Sequence, residues 1–170
     1  MVMNESQDLF LDLLADMYAA EKTLTDALQK MAGAATQEDL RRTLGSHAAE
    51  TAGHARKIEQ IFDLFGQKAK IKKCPAMAGI VEEAEDMISM NGKSQRINEA
   101  LIIHGQKAEL FEITSYANLR EWAKLLKREE AARLIGEILD EEKANHACLN
   151  KLSLEFFKPA AYLKPMEAAA

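Results

Sequence analysis

The sequence predicts an all-α fold, and three observations carry that prediction. Apolar residues recur at three- and four-residue spacing over segments longer than twenty residues. Glycine and proline are scarce, 8 and 3 in 170 residues, so turns are few and the elements between them long. Aromatic residues make up 6% and hydrophobic residues 48%, much of it alanine, leucine and methionine, which are strong helix formers. A β-sandwich is excluded and an α/β fold disfavoured. The length suits one domain that buries its own core without disulfides or metals as props.

The elements follow in order. A first helix spans about Ser6 to Met31, with Phe10, Leu13, Leu14, Met17, Leu24, Leu28 and Met31 on one stripe, and Gly33 stops it. Thr36 and Gln37 form a plausible N-cap for a second helix to about Phe65. Its stripe reads Leu40, Leu44, His47, Thr51, His54, Ile58, Ile61 and Phe65, and Gly66 ends it. A basic link, GQKAKIKKCP, leads through Pro75 into a shorter helix from Ala76 to Met90, closed by Asn91-Gly92. A third long helix spans about Ser94 to Lys127, with Ile102, Gln106, Glu109, Ile113 and Tyr116 in line. The fourth runs from about Glu129 to Phe157, through Ile135, Ile138, Glu142, His146, Leu149, Leu152 and Phe156. No glycine or proline marks the break near Arg128.

Short links after the first and third long helices imply two antiparallel hairpins. A crossover carrying its own short helix joins them into a four-helix bundle with one long connection, the ferritin-like arrangement. The domain then covers residues 1–158, and residues 159–170, with Pro159 and Pro165, form an extended or disordered tail.

Charge and cysteine usage narrow the function classes. The net charge is −5, with a pI near 5.5, which opposes nucleic-acid binding. The run Lys68, Lys70, Lys72 and Lys73 has no interleaved aromatic residues and reads as a solvated loop. Cys74 and Cys148 have no CxxC partner, and Cys148 reads as a small core residue. They suit a reducing cytoplasm. The acidic N-terminus is unlike a signal peptide, and no apolar run approaches membrane length. Apolar positions off the stripes, Leu11, Trp122, Leu125 and Leu126, suggest a homodimer.

The informative residues are polar ones on apolar stripes. Glu21, Glu50, Glu109 and Glu142 each fall near mid-length on the expected inner face of a long helix. Buried carboxylates converging without cations would repel one another strongly, and two divalent ions would neutralise four of them. Glu50-x-x-x-His54 and Glu142-x-x-x-His146 add an imidazole in each half, so the halves repeat a Glu, Glu-x-x-x-His pattern. Helix bundles hold two-metal sites with such donors. The usual spacing is Glu-x-x-His, and the extra residue here turns the imidazole by roughly 100°. His54 and His146 therefore reach metal through another rotamer or a π-bulge, or lie behind the ligands, and His47 is an alternative ligand. Glu112 stands evenly between ligand and solvated residue, and Glu141 reads as solvated.

Taken together, LLADMYAAEKTLTDAL, HAAETAGHARKIEQIF, KCPAMAGIVEEAE, QKAELFEITSYANL and LDEEKANHACL resemble the bacterial YciE/YciF family of ferritin-like stress proteins. The resemblance spans about Leu9 to Leu152. It implies a ferritin-like bundle with a helix in the crossover, a dimer, and Glu21, Glu50, His54, Glu109 and Glu142 at the family's di-metal positions. His146 stands where relatives often carry an acidic residue. The expected function is thus a cytosolic di-metal protein, with iron or manganese reacting with peroxide or oxygen. Glu50 and Glu142 would bridge, and the absence of a CxxC pair calls for a separate electron donor unless the reaction is catalase-like. The contrasting expectation is a non-enzymatic helical dimer with a structural polar core, acting in stress through protein contacts.

Overall fold

Apolar periodicity becomes five α-helices, with no strand among the described residues. They are α1 (Val2–Ala34), α2 (Glu38–Leu64), α3 (Pro75–Asn91), α4 (Ile97–Leu125) and α5 (Glu129–Phe156). The computed structural model describes residues 2–157, apart from 71, 93 and 95 and apart from the side chains of 2–4. The expected tail, 159–170, lies outside the described residues.

Three-residue links return the chain between α1 and α2 and between α4 and α5, and each such pair packs along its length as an antiparallel hairpin. The hairpins meet through α2 on α5 and α1 on α4, while α3 lies across α1 and α4. The core between them holds Phe10, Leu14, Leu24, Leu44, Ile58, Ile102 and Ile135, all fully buried. Each such side chain contributes roughly 1.5–3 kcal/mol on leaving water.

The helix ends show what the sequence concealed. Gln37 caps α2 without a side-chain hydrogen bond. The cap comes from α4 instead: Asn98 Oδ1 accepts from Thr36 N at 2.9 Å and Gln37 N at 3.2 Å, and its Nδ2 donates to Thr36 Oγ1 at 2.6 Å. Gly66 closes α2 at φ +65°, as its residue type allows. The unmarked break between α4 and α5 is made by Lys127 at φ +56°, with Arg128 N donating to Ala123 O at 2.9 Å across the turn.

Several expected placements are corrected. Leu11 is buried, not a surface position, and Leu13, expected on the stripe, is partly exposed. Cys148 is exposed on α5 near Thr43 rather than in the core. Leu125 is exposed, as expected.

Candidate metal centre

The four long helices bring six ionisable side chains into the core. They are Glu21 from α1, His47 and His54 from α2, Glu109 and Glu112 from α4, and Glu142 from α5, none more than 1% exposed. On α2, residues 47 and 54 are two turns apart and share a face; on α4, residues 109 and 112 do so one turn apart.

Their donor atoms form two overlapping groups. His47, Glu109, Glu112 and Glu142 each offer an atom within 4.8 Å of the others, and so do Glu21, His54 and Glu142. Glu142 belongs to both. His54 Nδ1 lies 2.8 Å from Glu142 Oε1 and 3.5 Å from Glu21 Oε2. His47 Nδ1 lies 3.0 Å from Glu109 Oε1, and its Nε2 lies 3.5 Å from Glu142 Oε2.

These approaches lack hydrogen-bond geometry. Both oxygens of Glu109, Glu112 and Glu142, together with Glu21 Oε2, His47 Nε2 and His54 Nδ1, are buried without a hydrogen-bond partner. Buried polar atoms are ordinarily satisfied, and one such group costs about 1–3 kcal/mol. Nine oxygen and nitrogen atoms facing one another fit divalent transition-metal ions, whose preferred donors are carboxylate and imidazole.

The metal-free electrostatics follow from burial. Desolvation, then the Glu142 charge, pushes Glu109 up to about 10. Burial and the surrounding carboxylates drive Glu112 well above the usual range, and burial raises Glu21 despite His54 beside it. Burial would likewise raise Glu142, but the His47 and His54 imidazoles outweigh it and hold Glu142 at about 2. His54 goes up to about 10, because Glu142 and Glu21 overcome the desolvation that would lower it. Without metal, the core therefore holds a His54 cation against a Glu142 anion, with Glu109 and Glu112 protonated.

Two neighbours fix the groups in place. His54 Nε2 meets Glu141 Oε2 at 2.7 Å, and Lys57 Nζ donates to Glu141 Oε1 at 2.8 Å. The second ring nitrogen is thereby engaged, which turns Nδ1 inward. Tyr116, fully buried on α4, donates its hydroxyl to Glu21 Oε1.

The sequence expectations fare unevenly. Glu21, His54, Glu109 and Glu142 come together. Glu50 does not: it is exposed and accepts from Asn145 Nδ2 at 3.0 Å. On an ideal helix it lies about 70° from the centre of the face carrying His47, Thr51 and His54, which places it at the α2–α5 groove. His146 is half-buried, one turn beyond Glu142, and lies outside both groups. His47 takes the inward place that Glu50 was expected to hold, and Glu112 joins it. Glu141, read as solvated, is instead paired with His54; the signal available was the Glu141-Glu142 pair on the helix facing His54 and Lys57.

Residues 5–160 match the domain of unknown function DUF892. The chain belongs to the DUF892 family. This DUF892 protein is 40% identical to Protein YciF of Escherichia coli K12 over 155 residues, 91% of this chain and 93% of that one. The crystal structure of the E. coli stress protein YciF superposes with a TM-score of 0.84 at 38% identity, covering 89% of this chain and 96% of that one. The YcfI protein of Rhodopseudomonas palustris gives 0.82 at 35% identity, over 85% and 92%. A Xanthomonas campestris protein at 19% identity and TM-score 0.70 shares the fold. The resemblance read from the sequence is thus shown, and the helical architecture is that of YciF.

Proposed function

We propose that this DUF892 protein is a ferritin-like di-metal carboxylate protein of bacterial stress response, binding two iron or manganese ions and reacting with peroxide or oxygen. One observation carries the reading: four carboxylates and two imidazoles converge in the core with nine donor atoms unsatisfied. Four carboxylate charges balance two divalent ions. His47, Glu109, Glu112 and Glu142 would hold one ion, and Glu21, His54 and Glu142 the other, with Glu142 shared. This donor set replaces the expected Glu50 bridge and His146 ligand by Glu112 and His47.

A bound pair of redox-active ions supplies one-electron steps to peroxide or oxygen. The chain's own residues do the rest. Glu141 holds the His54 ring with Nδ1 inward, and the Tyr116 hydroxyl, donating to Glu21 Oε1, orients that carboxylate. The surrounding leucines and isoleucines exclude water. A peroxidase reaction takes electrons from a separate donor protein, and a catalase-like one does not. The protein is cytoplasmic and homodimeric in this reading. Among the described residues, no helix is long and apolar enough to cross a membrane.

Elemental analysis after anaerobic Fe(II) reconstitution tests the reading. About two ions per chain are expected. Fewer than one, with no change in melting temperature, overturns it.

A further inference from the structure

A cavity of about 280 Å³ opens between α1, α4 and the start of α3. Leu13 and Met17, Pro75, and Phe111, Leu119 and Trp122 form most of its wall. The polar side chains at its edge are already occupied. Ser115 donates its hydroxyl to Phe111 O at 2.7 Å, Asn118 Nδ2 donates to Thr114 O at 2.7 Å, and Asp16 pairs with Lys72 at 3.1 Å. A charged or strongly polar guest would lose water here and gain little in return.

The cavity lies beside the carboxylate cluster. Met17 is one turn before Glu21 on α1, and Ser115 one turn after Glu112 on α4. Cys74, buried in the wall, is an electrostatic neighbour of Glu112. An apolar cavity of about 150 Å³ holds a benzene ring, so this one admits an aryl ring with a short branch and two oxygens, roughly a dozen heavy atoms.

We infer that this cavity seats the organic part of a small aryl or alkyl hydroperoxide, with its polar end towards Ser115 and Cys74 and the carboxylates behind them. The inference rests on the metal–peroxide reading for its substrate class and on the cavity's geometry for its place.

Trp122 is the only tryptophan of the chain and lines the cavity, so its fluorescence reports occupancy. Metal-free protein is titrated with 2-phenyl-2-propanol, the redox-inert alcohol of cumene hydroperoxide. Saturable one-to-one binding is expected, weakened at least tenfold by Ser115→Met and by Ala76→Met, which project side chains into the space from two helices. Absence of saturation, or binding indifferent to both variants, overturns the seat; a cavity filled by a second copy of the chain gives that first result. Metal-loaded protein is then given cumene hydroperoxide and hydrogen peroxide separately. Loss of at least tenfold in the variants, confined to cumene hydroperoxide, supports the substrate class, and equal loss with both overturns it. Metal content is measured independently, so failure of the metal reading leaves a distinct signature: no ions bound while the alcohol still binds.

Discussion

Glu141 grips His54 from behind, with Oε2 2.7 Å from the ring Nε2, while His54 Nδ1 lies 2.8 Å from Glu142 on the inner side. Two consecutive glutamates of α5 thus address the two nitrogens of one imidazole. Removing the outer one should loosen the ring without emptying the core. Glu141→Ala is expected to weaken metal binding by roughly 10- to 100-fold, with Glu141→Gln restoring part of it, as measured by chelator competition. Unchanged affinity in Glu141→Ala sinks the orienting role.

Carboxylates that look alike in the sequence should respond differently to the same change. Glu50→Gln is expected to leave both stability and metal binding alone, within about 0.5 kcal/mol, because the residue is exposed. Glu112→Gln should abolish one metal yet cost the metal-free protein little, since burial already keeps that carboxyl protonated. Glu142→Gln strips the anion from the His54 cation and should cost the metal-free protein about 3–5 kcal/mol. Thermal melts with and without metal compare the three. Equal behaviour of Glu50 and Glu142 would restore the symmetric, sequence-level picture.

The metal-free protein should lose stability as pH rises. Glu109 keeps its proton in the fold up to about 10, whereas the unfolded carboxyl releases it near 4.5, so across that window the folded state binds more protons. His54, raised from 6.5 to about 10, adds stability that is complete below 6.5 and gone above 10. Glu142 works on the acid side, where its contribution is present above 4.5 and lost as pH falls towards 2. Melting temperature should therefore decline from pH 6 to 9. With Mn(II) present the increment due to metal should grow over the same range, because ligands must shed protons to bind. A flat metal-free profile contradicts this proton inventory.

Lys127 occupies a left-handed conformation that costs a residue with a Cβ about 1 kcal/mol. Lys127→Gly is expected to raise stability by roughly 0.5–1 kcal/mol in denaturant melts, after allowing for glycine's freer unfolded chain. A destabilised variant means that the Lys127 side chain contributes more than its backbone costs.

Exposed apolar side chains persist along α4, among them Ile103, Leu110 and Leu125, the last 82% exposed. A two-fold contact through this helix would cover them. Light scattering at micromolar concentration should give twice 18.9 kDa. A monomer mass rejects the dimer.

Helices were legible because their periodicity is long and unbroken, and the buried Glu21, Glu109 and Glu142 were legible because each interrupts an apolar stripe. Glu50 misled for a geometric reason: the rim of a helix face and its centre differ by less than one residue's rotation, and only the partner helix decides which positions are covered. The Glu-x-x-x-His repeat invited a symmetric site, whereas α2 supplies two imidazoles and α4 two carboxylates. Glu141 escaped because its value lies in a contact with a residue 87 positions earlier. The Asn98 cap escaped for the same reason, being 62 positions from Thr36.

That cap has a consequence for how the halves of the molecule stay aligned. Asn98 stands at the second position of α4 and fastens the second hairpin to the turn of the first. The six inward side chains divide evenly along the same line: Glu21, His47 and His54 from the first hairpin, Glu109, Glu112 and Glu142 from the second. Neither half owns a complete set, so the donor atoms exist as a group only along the seam. A slip of one helical turn, about 5.4 Å, would separate both groups at once. Asn98 thus acts as a register pin at one end of that seam, and ions bound mid-seam would act as rivets, making occupancy of the centre a measure of whether the two hairpins are joined in step.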